Sequence, residues 1–487
     1  MRNFLLLFAL AYAFFYACDD GLNDISYNPN DILSFSTDTV SFDTVLTAVN
    51  SPVKFFRFYN RNNRNLTVSS ITTEHGADSP FKINIDGFAG SAFENLELRA
   101  GDSVYVMVNV KPSESGENNI VRISDRIVFV TNGINQFVEL EAYGQDAFHC
   151  KDIFIDRDTT LSAIKPYLIH GKFTIGEGVS AVIPAGSVFF MNNDAEFIVE
   201  GNVMMLGEEG NPIVFRGSRT DYLPLAKPLQ YDLIPNQWGG IRFSAGSYGN
   251  VIDNVRIRNG RYGLDFLPST TAQKKAVLRN TVVTNAPGCL LSAVNCDISA
   301  ENCEFSNSGD INLRLSGGAY QFIHCTVANY YPTFPEAGWK KSAHRLVMLS
   351  NSATLDNETV VLPLESADFY NTVLASVRKD SVILAAVAEK ASFNYKLMNC
   401  LLTDKFFEDE KVAGCVFDAH PDSIFVDCKG SDAAGEDFLF DFSLKESSPA
   451  RNAANPGFSQ AAPLDIRGNS RLEDGFPDIG AYEWVRK

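Results

Sequence analysis

Asn254-Val-Arg-Ile257 is the first of six related stretches, each an Asn or His followed by three residues that end on an apolar one. The others are Asn280-Thr-Val-Val283, Asn302-Cys-Glu-Phe305, His324-Cys-Thr-Val327, Asn371-Thr-Val-Leu374 and Asn399-Cys-Leu-Leu402. Successive first residues are 26, 22, 22, 47 and 28 positions apart. A period in the low twenties is too short for a propeller blade and predicts one coil of a β-solenoid. The step of 47 is interpreted as two coils, one of them irregular.

Stacking successive coils places the same position of each repeat about 4.8 Å apart, so that each position forms a column. The second and fourth residues of the repeat share a parity and are predicted to face the core. The leading Asn is predicted to form a hydrogen-bonded amide ladder, because an unpaired buried polar group costs about 1–3 kcal/mol. His324 replaces Asn and is predicted to be a polar ladder member rather than a ligand or general base. The third residue faces outward in a mixed column of Arg256, Val282, Glu304, Thr326, Val373 and Leu401.

This repeat resembles that of the right-handed parallel β-helix proteins. Ile183-Pro-Ala-Gly186, Phe197-Ile-Val-Glu-Gly201 and Asn211-Pro-Ile-Val-Phe215 resemble opening coils of that family, and Trp238-Gly-Gly-Ile241 resembles one of its signatures. Ser448-Pro-Ala-Arg-Asn452 and Pro477-Asp-Ile-Gly-Ala-Tyr-Glu483 resemble the closing motif of bacterial surface β-helices. The resemblance implies an all-β protein with a β-helix of about 14 coils over residues 149–487. Because this fold hosts lyases, hydrolases, adhesins and scaffolds, it does not identify an activity.

The chain begins with features of an exported lipoprotein. An apolar run of 14 residues from Phe4 to Ala17 is too short to span a bilayer and predicts a signal peptide over residues 1–17. Phe15-Tyr-Ala-Cys18 resembles a lipobox, although aromatic residues stand where Leu is usual. This resemblance implies that Cys18 is lipidated and anchors the protein to a membrane, and an ordinary secretory signal is the alternative. Residues 18–31 predict an acidic tether.

Asp19 and Asp20 directly follow Cys18. They resemble the acidic surface-export signal of one large group of Gram-negative lipoproteins, which implies the outer membrane, with the protein facing the cell exterior. The formal net charge of −18 argues against nucleic acid as a partner, because phosphates would repel the chain.

The cysteines are predicted to be structural. Apart from Cys18, eight remain, and none of them forms a Cys-x-x-Cys pair of the usual structural zinc site. Three of the eight, Cys303, Cys325 and Cys400, fall in an inward column, where a thiol packs as a small apolar group. Reduced core thiols are therefore favoured over disulfides, and a metal site is disfavoured.

Residues 32–148 predict a separate domain made of about seven short alternating strands, the size of an immunoglobulin-like β-sandwich. Tyr59-Asn-Arg-Asn-Asn-Arg-Asn-Leu66, Leu98-Arg-Ala-Gly-Asp-Ser103 and Val110-Lys-Pro112 resemble motifs of the ASPM/Hydin-type sandwich domains. Asn-Arg stands where that family has a Gly turn. The resemblance implies a role in binding or spacing.

The outward column offers only two charged residues, Arg256 and Glu304, and no second acid lies beside Glu304 in the neighbouring coils. The sequence therefore predicts no catalytic residue, no cofactor and no metal ligand, although Asp221 and Asp232 are the next place to look for a metal ion. A candidate binding loop interrupts the repeat, where aromatic rings suit sugars or a protein partner. Its residues are Tyr330, Tyr331, Phe334, Trp339, Lys340, Lys341, His344 and Arg345. The alternative is a loop that folds its aromatic residues back over the core.

These features together predict a non-enzymatic, surface-exposed outer-membrane lipoprotein that binds a ligand or acts as a scaffold. Its expected partners are the outer membrane, through the lipid anchor, and a polysaccharide or an outer-membrane protein complex. The alternative is a polysaccharide lyase or glycoside hydrolase that acts in a groove of the β-helix, for which paired carboxylates would be required.

Overall fold

The computed structural model describes residues 24–116, 118–223, 229–331, 342–387, 391–405, 408–429, 439–473 and 475–486. The signal peptide, Cys18, Asp19 and Asp20 lie outside the described residues, as do Phe334, Trp339, Lys340 and Lys341 of the candidate binding loop. The chain divides into two compact units, one ending at Ala147 and the other beginning at Phe148. Within the described ranges, no helix has the length and apolar character needed to cross a membrane.

The N-terminal unit consists of two five-stranded sheets. The first sheet has the spatial order Ser34–Phe35, Lys54–Tyr59, Ser103–Val110, Phe81–Ile85 and Phe88–Gly90. The second has the order Thr39–Leu46, Ile134–Gln145, Val121–Thr131, Leu66–Thr73 and Ala92–Leu98, and a 3-10 turn spans Gly76–Asp78. Alternating apolar residues such as Phe58 and Val106 from the first sheet and Phe129 and Leu140 from the second form one core. The ten strands exceed the about seven predicted from sequence.

The C-terminal unit is wound from parallel strands that form three faces. The first face contains Val188–Met191, Ile213–Gly217, Val255–Arg258, Val282–Ala286, Glu304–Ser308, Thr326–Asn329, Val373–Ser376 and Leu401–Leu402. The second contains Glu196–Val199, Ile241–Phe243, Leu264–Phe266, Leu291–Val294, Ile311–Ser316, Arg345–Ser350 and Val382–Ala385. With Phe148–Ile155 and Tyr167–Ile175, which precede them, these strands form one 17-stranded sheet.

The third face is a ten-stranded parallel sheet to which each coil contributes one strand. Its strands are Thr159–Thr160, Ser180–Pro184, Asn202–Leu206, Asn250–Asp253, Ala276–Arg279, Asp297–Glu301, Gly318–Ile323, Leu364–Tyr370, Lys396–Met398 and Val412–Ala413. Each strand pairs in parallel with its counterpart one coil later, as Val277 does with Ser299 and Ser299 with Gln321. This all-β arrangement of long parallel sheets is compatible with a β-helix.

Apolar side chains from the three faces fill the interior of the coils. Phenylalanine rings stack between coils, with centroids 4.4 Å apart for Phe189 and Phe215 and 4.8 Å apart for Phe322 and Phe369. The predicted inward columns are confirmed, because Cys303, Phe305 and their counterparts are buried in this core. The eight cysteines from Cys150 to Cys428 are free thiols, as favoured from sequence.

The prediction that the step of 47 residues holds two coils is wrong. The strand Thr326–Asn329 pairs directly with Val373–Ser376, so that His324 to Asn371 is one coil. This coil is enlarged at one corner by an antiparallel hairpin of Ser352–Leu355 and Glu358–Val361, and residues 330–344 of the sequence separate its first-face strand from its second-face strand. The expectation of about 14 coils is also wrong. The described chain supplies ten third-face strands, partly because the chain after residue 416 stops winding.

The C-terminal segment, of which residues 417–429, 439–473 and 475–486 are described, lies along the outside of the first face. It contains 3-10 turn Pro421–Ser423, antiparallel strands Phe425–Asp427 and Asp441–Leu444, and helix Pro456–Ser459. Its apolar side chains meet outward side chains of the coils in a second core that includes Ala328, Val373, Ala375, Leu401, Phe425, Phe442, Ile466 and Ile479. Gly480 approaches so closely that a Cβ there would lie 2.9 Å from Val373 Cγ2. The motif predicted to close the β-helix therefore packs along its side. A short antiparallel pair, Tyr222–Leu223 with Leu229–Gln230, and 3-10 turn Tyr231–Leu233 complete the unit.

Candidate functional site

The Asn column marks the corner where each coil enters the first face. All six positions have left-handed backbone conformation, with φ between 48° and 53° for Asn254, Asn280, Asn302, His324, Asn371 and Asn399. Among residues with a side chain, Asn tolerates this conformation best, because its short polar group bonds the nearby backbone. The occurrence of Asn at these positions therefore reflects the backbone conformation as well as hydrogen bonding.

The predicted amide ladder is only partly continuous. Asn302 Nδ2 donates to Asn280 Oδ1 at 3.3 Å, but Asn254 and Asn280 both donate to Asp253 Oδ1 at 3.0 Å instead of to each other. The C-terminal segment forms hydrogen bonds with several of the remaining amide groups of the column. Arg471 Nη2 donates to Asn302 Oδ1 at 2.9 Å, and Asn371 Nδ2 donates to the Asn455 carbonyl at 3.0 Å. The column therefore attaches the C-terminal segment to the coils.

His324 is a buried member of this column, as predicted. Its Nε2 lies 3.0 Å from Asn371 Nδ2 and 2.8 Å from Ser459 Oγ of the C-terminal segment. Burial, together with the nearby Arg471 charge, lowers the pKa of His324 well below its usual value. The ring is therefore neutral near pH 7 and serves as a structural hydrogen-bonding group.

The outward side chains of the first face change character along the chain. Early coils present Arg256 and Arg258, middle coils present Thr284 and Ser306, and late coils present small or apolar residues such as Ala375. The apolar part lies under the C-terminal segment, where Val373 and Leu401 have no exposed surface. The polar part remains open beside the edge of that segment.

A groove of about 470 Å³ occupies this polar part of the first face. Its described lining comes from the first face, from the turn at Tyr231–Leu233 and from the C-terminal segment. The lining residues are Gln230, Asp232, Leu233, Arg256, Arg258, Asn259, Val282, Thr284, Asn285, Glu304, Ser306, Asn307, Leu439, Phe440, Asp441, Phe442, Arg467 and Tyr482. The volume lies in the range of small-molecule binding sites.

Most charges of the groove are already paired. Asp232 Oδ1 lies 2.9 Å from Arg216 Nη2, and its Oδ2 lies 2.8 Å from Arg258 Nη2. Asp441 lies 3.6 Å from Arg467 Nη2. The two arginines beside Asp232 make it an ion-pair member rather than a metal ligand. The described residues contain no group of His, Cys, Asp and Glu arranged to hold a metal ion. Asp221, the other acid considered for a metal, pairs with Arg219.

Glu304 is the most buried acid of the groove, with 6% of its surface exposed. Its Oε1 hydrogen-bonds to Ser306 Oγ at 2.6 Å, and its Oε2 accepts a hydrogen bond from the Tyr482 hydroxyl. Burial raises the pKa of Glu304 above its usual value, although both hydrogen bonds oppose the shift. Sequence spacing found no acid beside Glu304, because Asp441 reaches the groove from the C-terminal segment.

Arg256 differs from the other arginines of the groove. Its Nη1 donates to the carbonyls of Asn280 at 2.7 Å and Val255 at 3.3 Å, which holds the guanidinium against the backbone. Within the ranges that the structure describes, no carboxylate forms an ion pair with it. Arg256 therefore presents a positioned guanidinium with donors to spare.

The candidate binding loop is described only at its ends. Tyr330 and Tyr331 are buried, and the Tyr330 ring packs near Phe425 and Phe442 of the C-terminal segment. Both tyrosines therefore fit the alternative interpretation, in which the aromatic residues fold back onto a core. His344 is half-buried and Arg345 is exposed at the start of a second-face strand.

No protein-family model and no curated protein matches the sequence. Among solved structures, matches include a family 123 glycoside hydrolase from Clostridium perfringens, with 8% identity over 24% of this chain and 26% of that chain and a TM-score of 0.17. Vibrio cholerae VesB protease matches with 13% identity over 24% of this chain and 32% of that chain, with a TM-score of 0.17. Pseudomonas fluorescens alkylpurine DNA glycosylase AlkC matches with 10% identity over 23% of this chain and 30% of that chain, with a TM-score of 0.16.

The chain thus spans about a quarter to a third of the length of these three structures. Likenesses this low carry no argument about fold or function. The groove must be interpreted from its own residues.

Proposed function

We propose that this protein is a non-enzymatic binding protein whose ligand is a glycan held in the groove of the first face. The observation that carries the proposal is the composition of the groove. Hydroxyl, amide and guanidinium side chains lie beside the half-buried ring of Phe440. Aromatic rings pack against the apolar faces of sugars, while such polar groups bond their hydroxyls.

The carboxylates of the groove favour binding over catalysis. Asp232 and Asp441 are engaged by arginines, and both oxygens of Glu304 are engaged by hydroxyl groups. Carboxylates held in this way support the walls of the groove. A binding role requires no more than this fixed arrangement.

Calorimetric titration against a panel of oligosaccharides tests the proposal. The variant Phe440→Ala removes this half-buried aromatic ring and should weaken binding of the best ligand by about 5-fold to 150-fold, as expected for a lost stacking contact of about 1–3 kcal/mol. Phe88→Ala is the matched control, because Phe88 is 72% exposed on the N-terminal unit. Failure of every glycan to bind, or equal binding by the Phe440 variant, would refute the proposal.

One observation favours a second candidate, a polysaccharide lyase or glycoside hydrolase. Glu304 and Asp441 line the same groove, and the raised pKa of Glu304 is the shift that a general acid requires. This candidate predicts release of reducing or unsaturated sugar ends, which Glu304→Gln would abolish. Glu358→Gln on the exposed hairpin is the control. Absence of released ends with glycans that bind the groove would exclude it.

We further propose that the protein is an outer-membrane lipoprotein that faces the cell exterior. Support comes from the apolar leader that ends at Cys18 and from Asp19 and Asp20 behind it. Metabolic labelling with an alkyne fatty acid should label the native protein and Cys150→Ala, but not Cys18→Ala. Protease treatment of intact cells should digest the native protein. Labelling of the Cys18 variant would contradict the anchor, and protection from protease would contradict surface exposure.

The finer assignment of the fold belongs to the same proposal. We infer that the coils wind right-handed, because parallel strand connections have that hand in nearly all proteins. We also infer that the N-terminal unit is an immunoglobulin-like sandwich, which its two five-stranded sheets around one core support. A crystal structure tests both assignments, since it shows the hand of the coils and the strand connections directly.

A scaffold role in an outer-membrane protein complex predicts a different result. Detergent extraction and affinity purification of the native protein would then recover other membrane proteins in stoichiometric amounts. Recovery of the protein alone would favour the glycan-binding role.

A further inference from the structure

The arginines of the groove differ in how many N–H donors remain free for a ligand. Arg258 is paired with Asp232, and Arg467 lies near Asp441. Arg256 donates from Nη1 to two backbone carbonyls, while its Nε and Nη2 have no hydrogen-bond partner in the described ranges. A guanidinium carries five N–H donors, so that three remain for a ligand. Anchoring by the backbone also means that little side-chain entropy is lost on binding.

The charge of the groove contrasts with that of the whole chain. The protein carries a formal net charge of −18, which repels anions in general. The groove, however, is lined by three guanidinium groups, of Arg256, Arg258 and Arg467, against the carboxylates of Asp232 and Asp441 and the buried Glu304. Burial of Glu304 disfavours its charged form. The groove is therefore a local exception where one anionic group can be accepted beside Arg256.

The surroundings of Arg256 suit a sugar ring. Val282, its register neighbour in the next coil, provides a half-buried apolar surface, and Thr284 and Ser306 place two hydroxyl groups 2.8 Å apart on the same face. Asn285 and Asn307 add amides to the lining. A sugar ring with hydroxyl groups and one carboxylate matches this set of groups better than a neutral sugar does.

We infer that the ligand is a glycan containing a carboxylated sugar, and that Arg256 binds its carboxylate through the free edge of the guanidinium. This inference rests on the proposed glycan-binding function and names the ligand class of the same groove. A planar guanidinium binds a carboxylate through two parallel hydrogen bonds, which gives both affinity and orientation. Lys in place of Arg256 would keep the charge but lose this paired geometry.

The test is a calorimetric comparison of two matched ligands, a uronic-acid oligosaccharide and the same oligosaccharide with its carboxylates reduced to alcohols. The native protein should bind the acidic form at least tenfold more tightly. Arg256→Met, which keeps much of the side-chain volume, should abolish this preference, and Arg256→Lys should retain part of it. Arg242→Met is the control, because Arg242 lies on the second face and outside the lining of the groove.

The possible results separate the inference from the proposed function. Equal binding of both ligands, or a preference that survives in Arg256→Met, would overturn the inference and leave glycan binding intact. Binding of neither ligand nor of any other glycan would overturn the proposed function itself. The circular dichroism spectrum and thermal midpoint of each variant should match those of the native protein. If Arg256→Met fails this check, Arg256→Lys must still lower the preference for the acidic ligand, and an unchanged preference would overturn the inference.

Discussion

At six of the corners that lead into the first face, an Asn or His residue adopts a left-handed backbone conformation. Asn supplies this conformation in five coils and His324 in the sixth. His324 also contacts Asn371 and Ser459, so that a neutral ring joins two coils to the C-terminal segment. Protonation would place a charge in a buried site beside Arg471, and among the described residues no carboxylate pairs with the ring to offset it.

This arrangement predicts a pH-dependent stability. The folded pKa of His324 is lowered below the value of 6.5, so that below pH 6.5 the unfolded chain binds more protons than the folded chain. Stability should therefore fall as the pH falls below 6.5, by at most about 2 kcal/mol between pH 6.5 and pH 5, the limit for one proton. It should not change through His324 above pH 7. Denaturant unfolding at a series of pH values measures this effect.

His324→Asn gives the matched comparison, because Asn is the residue of the other five coils. The variant should lose most of the acid sensitivity between pH 6.5 and pH 5. His420→Asn is the control, since His420 is exposed. An unchanged pH profile in His324→Asn would show that the histidine is not the source.

At the scale of structural elements, the coils accommodate insertions at their corners. The hairpin of Ser352–Leu355 and Glu358–Val361 leaves and rejoins the coil between a second-face and a third-face strand, without breaking the pairing of either. Leu362 N donates to the Asn351 carbonyl at 2.9 Å across the base of the hairpin. The coil is thus closed beneath the insertion.

We expect that the hairpin can be shortened without loss of the coils. Replacing residues 353–360 by Asn-Gly keeps the pair Ser352 and Val361 and joins them by a two-residue turn. The free energy of unfolding should change by less than about 1 kcal/mol, since shortening a surface loop has a small entropic effect. Removing the eight residues 365–372 instead should prevent folding, because it deletes a third-face strand. Circular dichroism and denaturant unfolding measure both outcomes, and collapse of the first variant would contradict the expectation.

Local sequence patterns predicted the coils and the loop that interrupts the repeat after Tyr330, but not the hairpin of Ser352–Leu355 and Glu358–Val361. The alternation of Cys303 and Phe305 against Glu304 was enough to place side chains inside or outside, because parity depends only on neighbouring residues. The sequence step from His324 to Asn371 does not reveal that it forms a single coil, because a count of residues cannot distinguish a second coil from a loop added to one coil. Asp441 was missed as a groove residue for a related reason, since it lies 137 residues after Glu304 and no local pattern connects the two.

On the scale of the C-terminal unit, two cores share one sheet. One core fills the coils, and the other lies between the outer side of the first face and the C-terminal segment. The outward column lines the groove in the earlier coils and packs against the C-terminal segment in the later coils. Val282 is half-buried in the groove, whereas Val373 is fully covered.

A pair of variants in this column should separate the two purposes. Val373→Asp would bury a charge without a partner and should destabilise the attachment of the C-terminal segment by about 3–5 kcal/mol. Val282→Asp, at the same position of an earlier coil, places its carboxylate in the groove beside Arg256 and should change stability by less than about 1 kcal/mol. Limited proteolysis should release the C-terminal segment from the first variant only. Equal protection of both variants would mean that the segment does not depend on this contact.

The C-terminal segment is synthesised after the coils that it covers. The late coils, with Val373 and Leu401 on their outer side, leave the ribosome before residues 439–486 that cover them. A nascent chain therefore exposes this apolar surface until residues 439–486 have been synthesised. Premature termination after residue 402 and before the C-terminal segment should therefore yield a product whose coils are wound but whose apolar outer side is exposed. Molecular chaperones should retain this product, and proteases should degrade it.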